Sequence, residues 1–199
     1  MTLNARINVD DIPFQPWAHA LMDYRNQLYL STEPYTRCKP SGGPRQFVAF
    51  YGMEIMDRPE LKRVYMFIRA PSGSYRVIYT DGRPHPKNLE PTYFGHSVGH
   101  WEGDTLVIDT VGMNERFWMS REGLPHTEQL HLIERVTRKD FDTLDYQVTI
   151  DDPGAYTAPW TSGLTLRWRS GEEISEYVCQ ENNRSPQGMF KNVKSRITP

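Results

Sequence analysis

A chain of 199 residues is long enough for one domain with a real core and short for two. With 23 Lys and Arg against 25 Asp and Glu, the formal charge of −2 excludes the concentrated basic face that nucleic-acid binding needs. No apolar run approaches the ~18 residues of a helical membrane span. These limits leave a small-molecule ligand or substrate as the partner, with no nucleic acid and no membrane, and are compatible with a homo-oligomer.

The first residues, MTLNARINVDDIPF, lack the apolar core of a secretory signal. This predicts a cytoplasmic protein, or a periplasmic one where an export signal has been removed. In PFQPWAHALMDYRNQLYL, Trp17, Leu21, Tyr24 and Leu28 recur at helical spacing behind Pro16, which suits a first turn. A helix is predicted over 15–30. The next stretch, STEPYTRCKPSGGPRQF, carries enough proline and glycine to read as an ordered loop.

From residue 47 the period becomes two. Strands are predicted over Phe47–Gly52, Arg63–Arg69 and Tyr75–Tyr79, then a proline-rich loop, RPHPKNLEPTYFGHSVGHWEG. Strands resume over Asp104–Val111, Gln129–Arg138, Leu144–Asp151, Leu164–Arg169 and Ile174–Glu181. The run LDYQVTID alternates without error, with Leu144, Tyr146, Val148 and Ile150 on one face. Consecutive strands with short turns predict a mainly β fold: an antiparallel lipocalin-like barrel or a strongly curved meander sheet over 47–181, with the N-terminal helix as its plug. Residues 1–199 form a single domain in this reading.

Cys38 and Cys179 lie far apart and in no metal-ligand spacing, which excludes a zinc knuckle. A cytoplasmic protein would keep both as free thiols; a bridge from the N-terminal loop to the last strand requires an oxidising compartment.

The residues able to carry chemistry fall in four stretches. In GHSVGHWEGDTLVIDT, His96 and His100 stand at i, i+4, a spacing that could pair them on a metal. Gly95 and Gly99 argue against a helix there, so a loop is expected, with one imidazole bridging it and the other exposed, and no metal site. In GLPHTEQLHLIERVTR, Glu134 shares a strand face with Leu130, Leu132 and Val136. A carboxylate on an apolar face either pairs with an arginine, for which Arg69, Arg76 and Arg167 are candidates, or has a raised pKa suited to acid/base work. His126 stands at the loop-to-strand junction, and His131 faces away beside Ile133 and Arg135. In YTDGRPHP, Asp81-Gly82 explains a turn, while Arg83 could hold a substrate carboxylate. In DDPGAYTAPW, Tyr156 and Trp160 either close over a ligand or anchor a loop. The chain has no GxSxG elbow, no P-loop, no GxGxxG after a strand and no HExxH.

The runs CKPSGGPRQF, YTDGRPHP, PTYFGHSVGHWEGDTLVIDTVGM, GLPHTEQLHLIERVTR and TIDDPGAYTAPW together resemble a large uncharacterised bacterial family with a GxSVGxWEGDTLVVDT-type signature. The matching positions include Asp81, Arg83, His85, His96, Trp101, Glu102, Asp104, His126, Glu134 and Arg135. The resemblance implies no settled activity. Export signals are common in that family, which favours the Cys38–Cys179 bridge.

The functional expectation is a cofactor-independent acid/base enzyme of the lyase, decarboxylase, dehydratase or isomerase type. It would act on a small hydrophobic substrate, aromatic ones included, in a barrel pocket. His96 or His126 would act as acid or base and Glu134 as a buried carboxylate. Arg83 or Arg135 would hold a substrate anion, with His85, His100, Trp101, Tyr156 and Trp160 lining the site. The alternative is a lipocalin-like protein that binds a small apolar ligand without chemistry.

Overall fold

The structure is a computed structural model and describes residues 8–48, 52–68, 74–174 and 176–181. Eight strands form one sheet in sequence order: β1 (Met53–Arg58), β2 (Arg63–Ile68), β3 (Ser74–Tyr79), β4 (His96–Glu102), β5 (Thr105–Val111), β6 (His131–Arg138), β7 (Thr143–Asp151) and β8 (Trp160–Arg167). The sheet curls into a half-barrel, so the strongly curved sheet holds and the closed barrel does not. All pairings are antiparallel except one. Strands β3 and β4 run parallel and meet only at Ile78↔Ser97 and Tyr79↔Val98, with the crossover 80–95 between them.

Alternation sorts the side chains. One face is covered. It carries Val64 and Met66 of β2, Ile78 of β3, Leu106 and Ile108 of β5, and Leu132, Tyr146, Val148 and Ile150 of β6 and β7. Against these pack Phe47, Met113, Phe117, Met119 and Leu124 from the connecting segments, and Ala18 and Met22 from the helix. Phe47 stacks on Tyr146 with centroids 3.7 Å apart. The covered face is therefore occupied by the chain's own side chains, where a lipocalin-like reading expects room for a ligand.

The helix α1 spans Pro16–Gln27, with Pro16 in its first turn. It buries Ala18 and Met22 and exposes Trp17 and Tyr24 from the stripe that predicted it. Trp17 is nonetheless fixed: its indole Nε1 donates to Gly154 O at 2.9 Å. Backbone bonds from Gln15 N to Ala155 O and from Thr157 N to Pro13 O dock the helix start on the β7–β8 connection.

Four predictions need correction. Residues 43–48 form a buried 3-10 turn rather than a strand, because Phe47 turns in to stack on Tyr146; residues 49–51 of that predicted strand lie outside the described residues. The first strand is 53–58 instead. His96–Glu102 is a strand and not a loop, since His96, Val98 and His100 alternate with Ser97 and Gly99 against β5. Gly95 opens β4 at φ +64°, and a Cβ there would strike Val111 O, so the two glycines serve close packing. Finally, the stretch predicted as a last strand over 174–181 contains no strand among its described residues. The Cys38–Cys179 disulfide, Cα atoms 5.6 Å apart, ties it to the N-terminal loop and corrects the expectation of free thiols.

Candidate functional site

The open face of the sheet gathers the histidines. Alternation along β4, β5 and β6 sends His96, Asp109 and His131 to that face, opposite Ser97, Thr110 and Leu132. The crossover 80–95 then lays His85 among them. His85 Nε2 lies 3.1 Å and His131 Nε2 2.8 Å from Asp109 Oδ1, and His85 Nδ1 is 2.8 Å from His96 Nδ1. The result is a continuous chain, His96–His85–Asp109–His131. Its side chains are accessible: 22% for His85, 40% for Asp109 and 37% for His131.

The hydrogen positions follow from the acceptor. An ionised Asp109 only accepts, so neutral His85 and His131 each carry hydrogen on Nε2. His85 Nδ1 is then bare and accepts from His96 Nδ1–H. This leaves His96 Nε2 unprotonated. Partial burial, reinforced by His85 and then by Arg83, holds the His96 pKa below the ordinary histidine value of 6.5. The ring stacks on Tyr79, with centroids 5.3 Å apart and planes 19° from parallel. Arg83 stands over the same Tyr79 ring at 4.1 Å and donates from Nε to both Asp81 oxygens at 2.9 Å. That bonding draws the Asp81 pKa down to about 2.

Glu134 belongs to the other face and is fully buried. Its carboxylate takes both Nη groups of Arg76 and, at 2.9 Å, the hydroxyl of Tyr146. Arg76 completes its own set on Ser97 Oγ at 2.9 Å and Thr110 Oγ1 at 2.6 Å. Of the two readings open for Glu134, the arginine pair is the one present, with Arg76 as partner. Burial and the adjacent carboxylate push the Tyr146 hydroxyl pKa well up, so it stays a donor.

His126 is buried against Phe117, with rings 4.1 Å apart, and neither ring nitrogen has a hydrogen-bond partner. Burial lowers its pKa to about 4. The three residues expected to act together, His96, His126 and Glu134, are therefore not brought together. Only His96 is on the open face.

The remaining expected residues divide. His85 and Arg83 join His96. His100 bonds Glu102 at 3.0 Å, and Arg135 bonds the same carboxylate at 2.7 Å, which forms a separate exposed ion cluster. Trp101, half exposed, lines an open groove of about 380 Å³ with Lys62, Thr80 and Asp81. Tyr156 and Trp160 are buried. Tyr156 donates to Pro125 O at 2.7 Å, and Trp160 lies in β8 rather than in the loop, so both anchor the fold. His96 and His100 share a face of β4 but engage different partners. Among the described residues no group of three or more His, Cys, Asp and Glu side chains is arranged to hold a metal ion.

The sequence reading missed Asp109 as a site residue and gave His131 no role. The signal was present: in TLVIDTV the alternation that buries Leu106 and Ile108 must expose Asp109, an acid mid-strand with no local turn to explain it.

Comparison of the chain with protein-family models, with curated proteins and with solved structures found no match.

Proposed function

We propose that the protein is a cofactor-independent proton-transfer enzyme of the isomerase or lyase type, with His96 as its base. The observation that carries this reading is the half-buried chain His96–His85–Asp109, which fixes the tautomer of a bare His96 Nε2. In the reaction, His96 Nε2 takes a proton from the substrate while His96 Nδ1–H continues to donate to His85. The same proton then returns to another substrate atom in an isomerisation, or to the leaving group in an elimination. Asp109 carries the negative charge that stabilises the imidazolium between these steps. His131, held on the same carboxylate, supplies a second Nε2–H donor at the edge of the site. A carrier reading uses only the exposed rings and gives the Asp-His-His chain no task.

The disulfide favours an oxidising compartment such as the periplasm. No helix among the described residues is long and apolar enough to cross a membrane.

The test is proton exchange. The purified protein is incubated in D₂O with a panel of enolisable carbonyl compounds and aromatic acids, and loss of C–H signal is followed by NMR. His96→Gln should slow exchange at least ~100-fold with an unchanged melting temperature, and Asp109→Asn should slow it comparably by releasing the tautomer. Full exchange in both variants would refute the assignment.

A further inference from the structure

The open face of β1 to β3 carries a pattern that the proton chain does not use. Register places Arg63 opposite Tyr79, Tyr65 opposite Val77, and Phe67 opposite Tyr75. Two guanidinium groups converge on one ring: Arg83 lies 4.1 Å and Arg63 5.4 Å from the Tyr79 centroid. His96 stacks on that ring as well. Arg83 is matched by Asp81, whereas Arg63 makes no ion pair among the described residues. Arg63 is therefore the unmatched cation of the cluster, while the Asp109 carboxylate stands on the far side of His85 from His96. Along the strands the surface turns aromatic. Tyr65 stacks with Phe67 at 6.2 Å, Phe67 meets Tyr75 at 6.3 Å, and Tyr75 is 58% exposed. At ~3.3 Å per residue, the rings begin ~7 Å from Arg63 and extend to ~13 Å.

We propose that this face binds an organic carboxylate, with its anionic end at Arg63 and Arg83 beside His96 and its aromatic or apolar body along Tyr65, Phe67 and Tyr75. The proposal names a substrate class for the proton-transfer reading and rests on it for the chemistry, though not for the binding. The physical logic is complementarity. The Arg63 guanidinium can give a carboxylate parallel N–H···O bonds, Arg83, whose Nε and Nη2 are held by Asp81, adds its Nη1 and its charge, and a face-on aromatic row removes an apolar body from water without a closed cavity. The same cations would oppose the negative charge that builds on the substrate when His96 takes its proton. The ~7 Å offset suits a ring two or three bonds from the carboxylate.

Cinnamate is the probe, with cinnamamide as its neutral isostere, acetate as the anion without a body, and inorganic phosphate as a generic anion. Binding is followed by the ring resonances of His96 and the Nε resonances of Arg63 and Arg83 in ¹⁵N-labelled protein. Cinnamate should bind, shift all three and raise the His96 pKa; cinnamamide, acetate and phosphate should bind at least ~10-fold more weakly. Arg63→Gln and Arg83→Gln should each weaken cinnamate by ~10-fold or more, with Arg63→Lys recovering part of the loss. Phe67→Ala should weaken cinnamate and leave acetate unchanged. Equal binding of cinnamate and cinnamamide, phosphate binding as tight as cinnamate, or arginine variants that bind like the parent with unchanged melting would overturn the proposal. These readouts do not depend on turnover. Proton exchange that needs His96 but ignores the arginines would overturn the carboxylate and keep the base. Tight cinnamate binding with no exchange would do the reverse.

Discussion

At the scale of single residues, the molecule separates the bonded histidines of its open face from one that burdens stability. His126 was expected at the mouth of a site, yet it lies buried with both nitrogens unpartnered and its pKa lowered to about 4. The unfolded chain binds that proton near the ordinary value of 6.5, so it takes up protons before the folded state does. Stability from this group is fully present above the unfolded pKa and declines as pH falls toward about 4, by about 3 kcal/mol in all. Denaturant titrations across that window should show the decline in the parent protein and a much flatter profile in His126→Phe. Sequence reasoning cannot see this difference, because His96 and His126 have similar local surroundings of glycine, proline and polar residues. What separates them is Phe117, brought against His126 from nine positions upstream by a loop with no period to read.

At the scale of strands, alternation was the legible part. It placed Leu132, Glu134 and Val136 on one face and His131 on the other, as found. It did not say which arginine meets Glu134, because pairing between β3, β4 and β6 depends on the sheet's order and curl. The network links four strands: Arg76 of β3, Ser97 of β4, Thr110 of β5 and Glu134 of β6, with Tyr146 of β7 adding a fifth. Removing Glu134 alone strands a buried guanidinium. Glu134→Leu should therefore cost about 3–5 kcal/mol in urea unfolding, and adding Arg76→Met should recover a good part of it. A double variant no more stable than the single one would mean that the penalty comes from lost packing instead. Missed strands have a similar origin. Glycines in GHSVGHW suggest a loop locally, but Gly99 is where a Cβ would meet Ile78 Cγ2 at 2.8 Å and Val107 O at 2.9 Å. The residue that looks like a loop former is what lets β4 close on its neighbours.

At the scale of the whole molecule, the mainly β curved sheet and its N-terminal helix could be read from periodicity, whereas the filling of the covered face could not. The chain uses its own loops and α1 for that purpose, and the His96–His85–Asp109 chain lies on the opposite face. The N-terminal loop and the end of the described region are joined by Cys38–Cys179 across a sequence separation of 141 residues. A loop of that length predicts stabilisation of up to about 5 kcal/mol by restricting the unfolded chain. Cys38→Ser/Cys179→Ser should lower stability toward that extent in urea, while proton exchange at His96 under folding conditions stays near the parent rate.

The two-residue parallel seam between β3 and β4 divides the sheet into two stacks of locally paired strands, joined across a 16-residue crossover. Tyr79 and Arg63 stand on one stack; His96, Asp109 and His131 stand on the other. The proposed carboxylate site, which needs Arg63 and Tyr79 beside His96, is thus complete only when the stacks meet. A ligand spanning them acts as a clasp, and at a hundredfold excess over its dissociation constant it adds about 2.7 kcal/mol to the stability of the joined state. For the proposed carboxylate, occupancy and the joining of that seam would be one equilibrium.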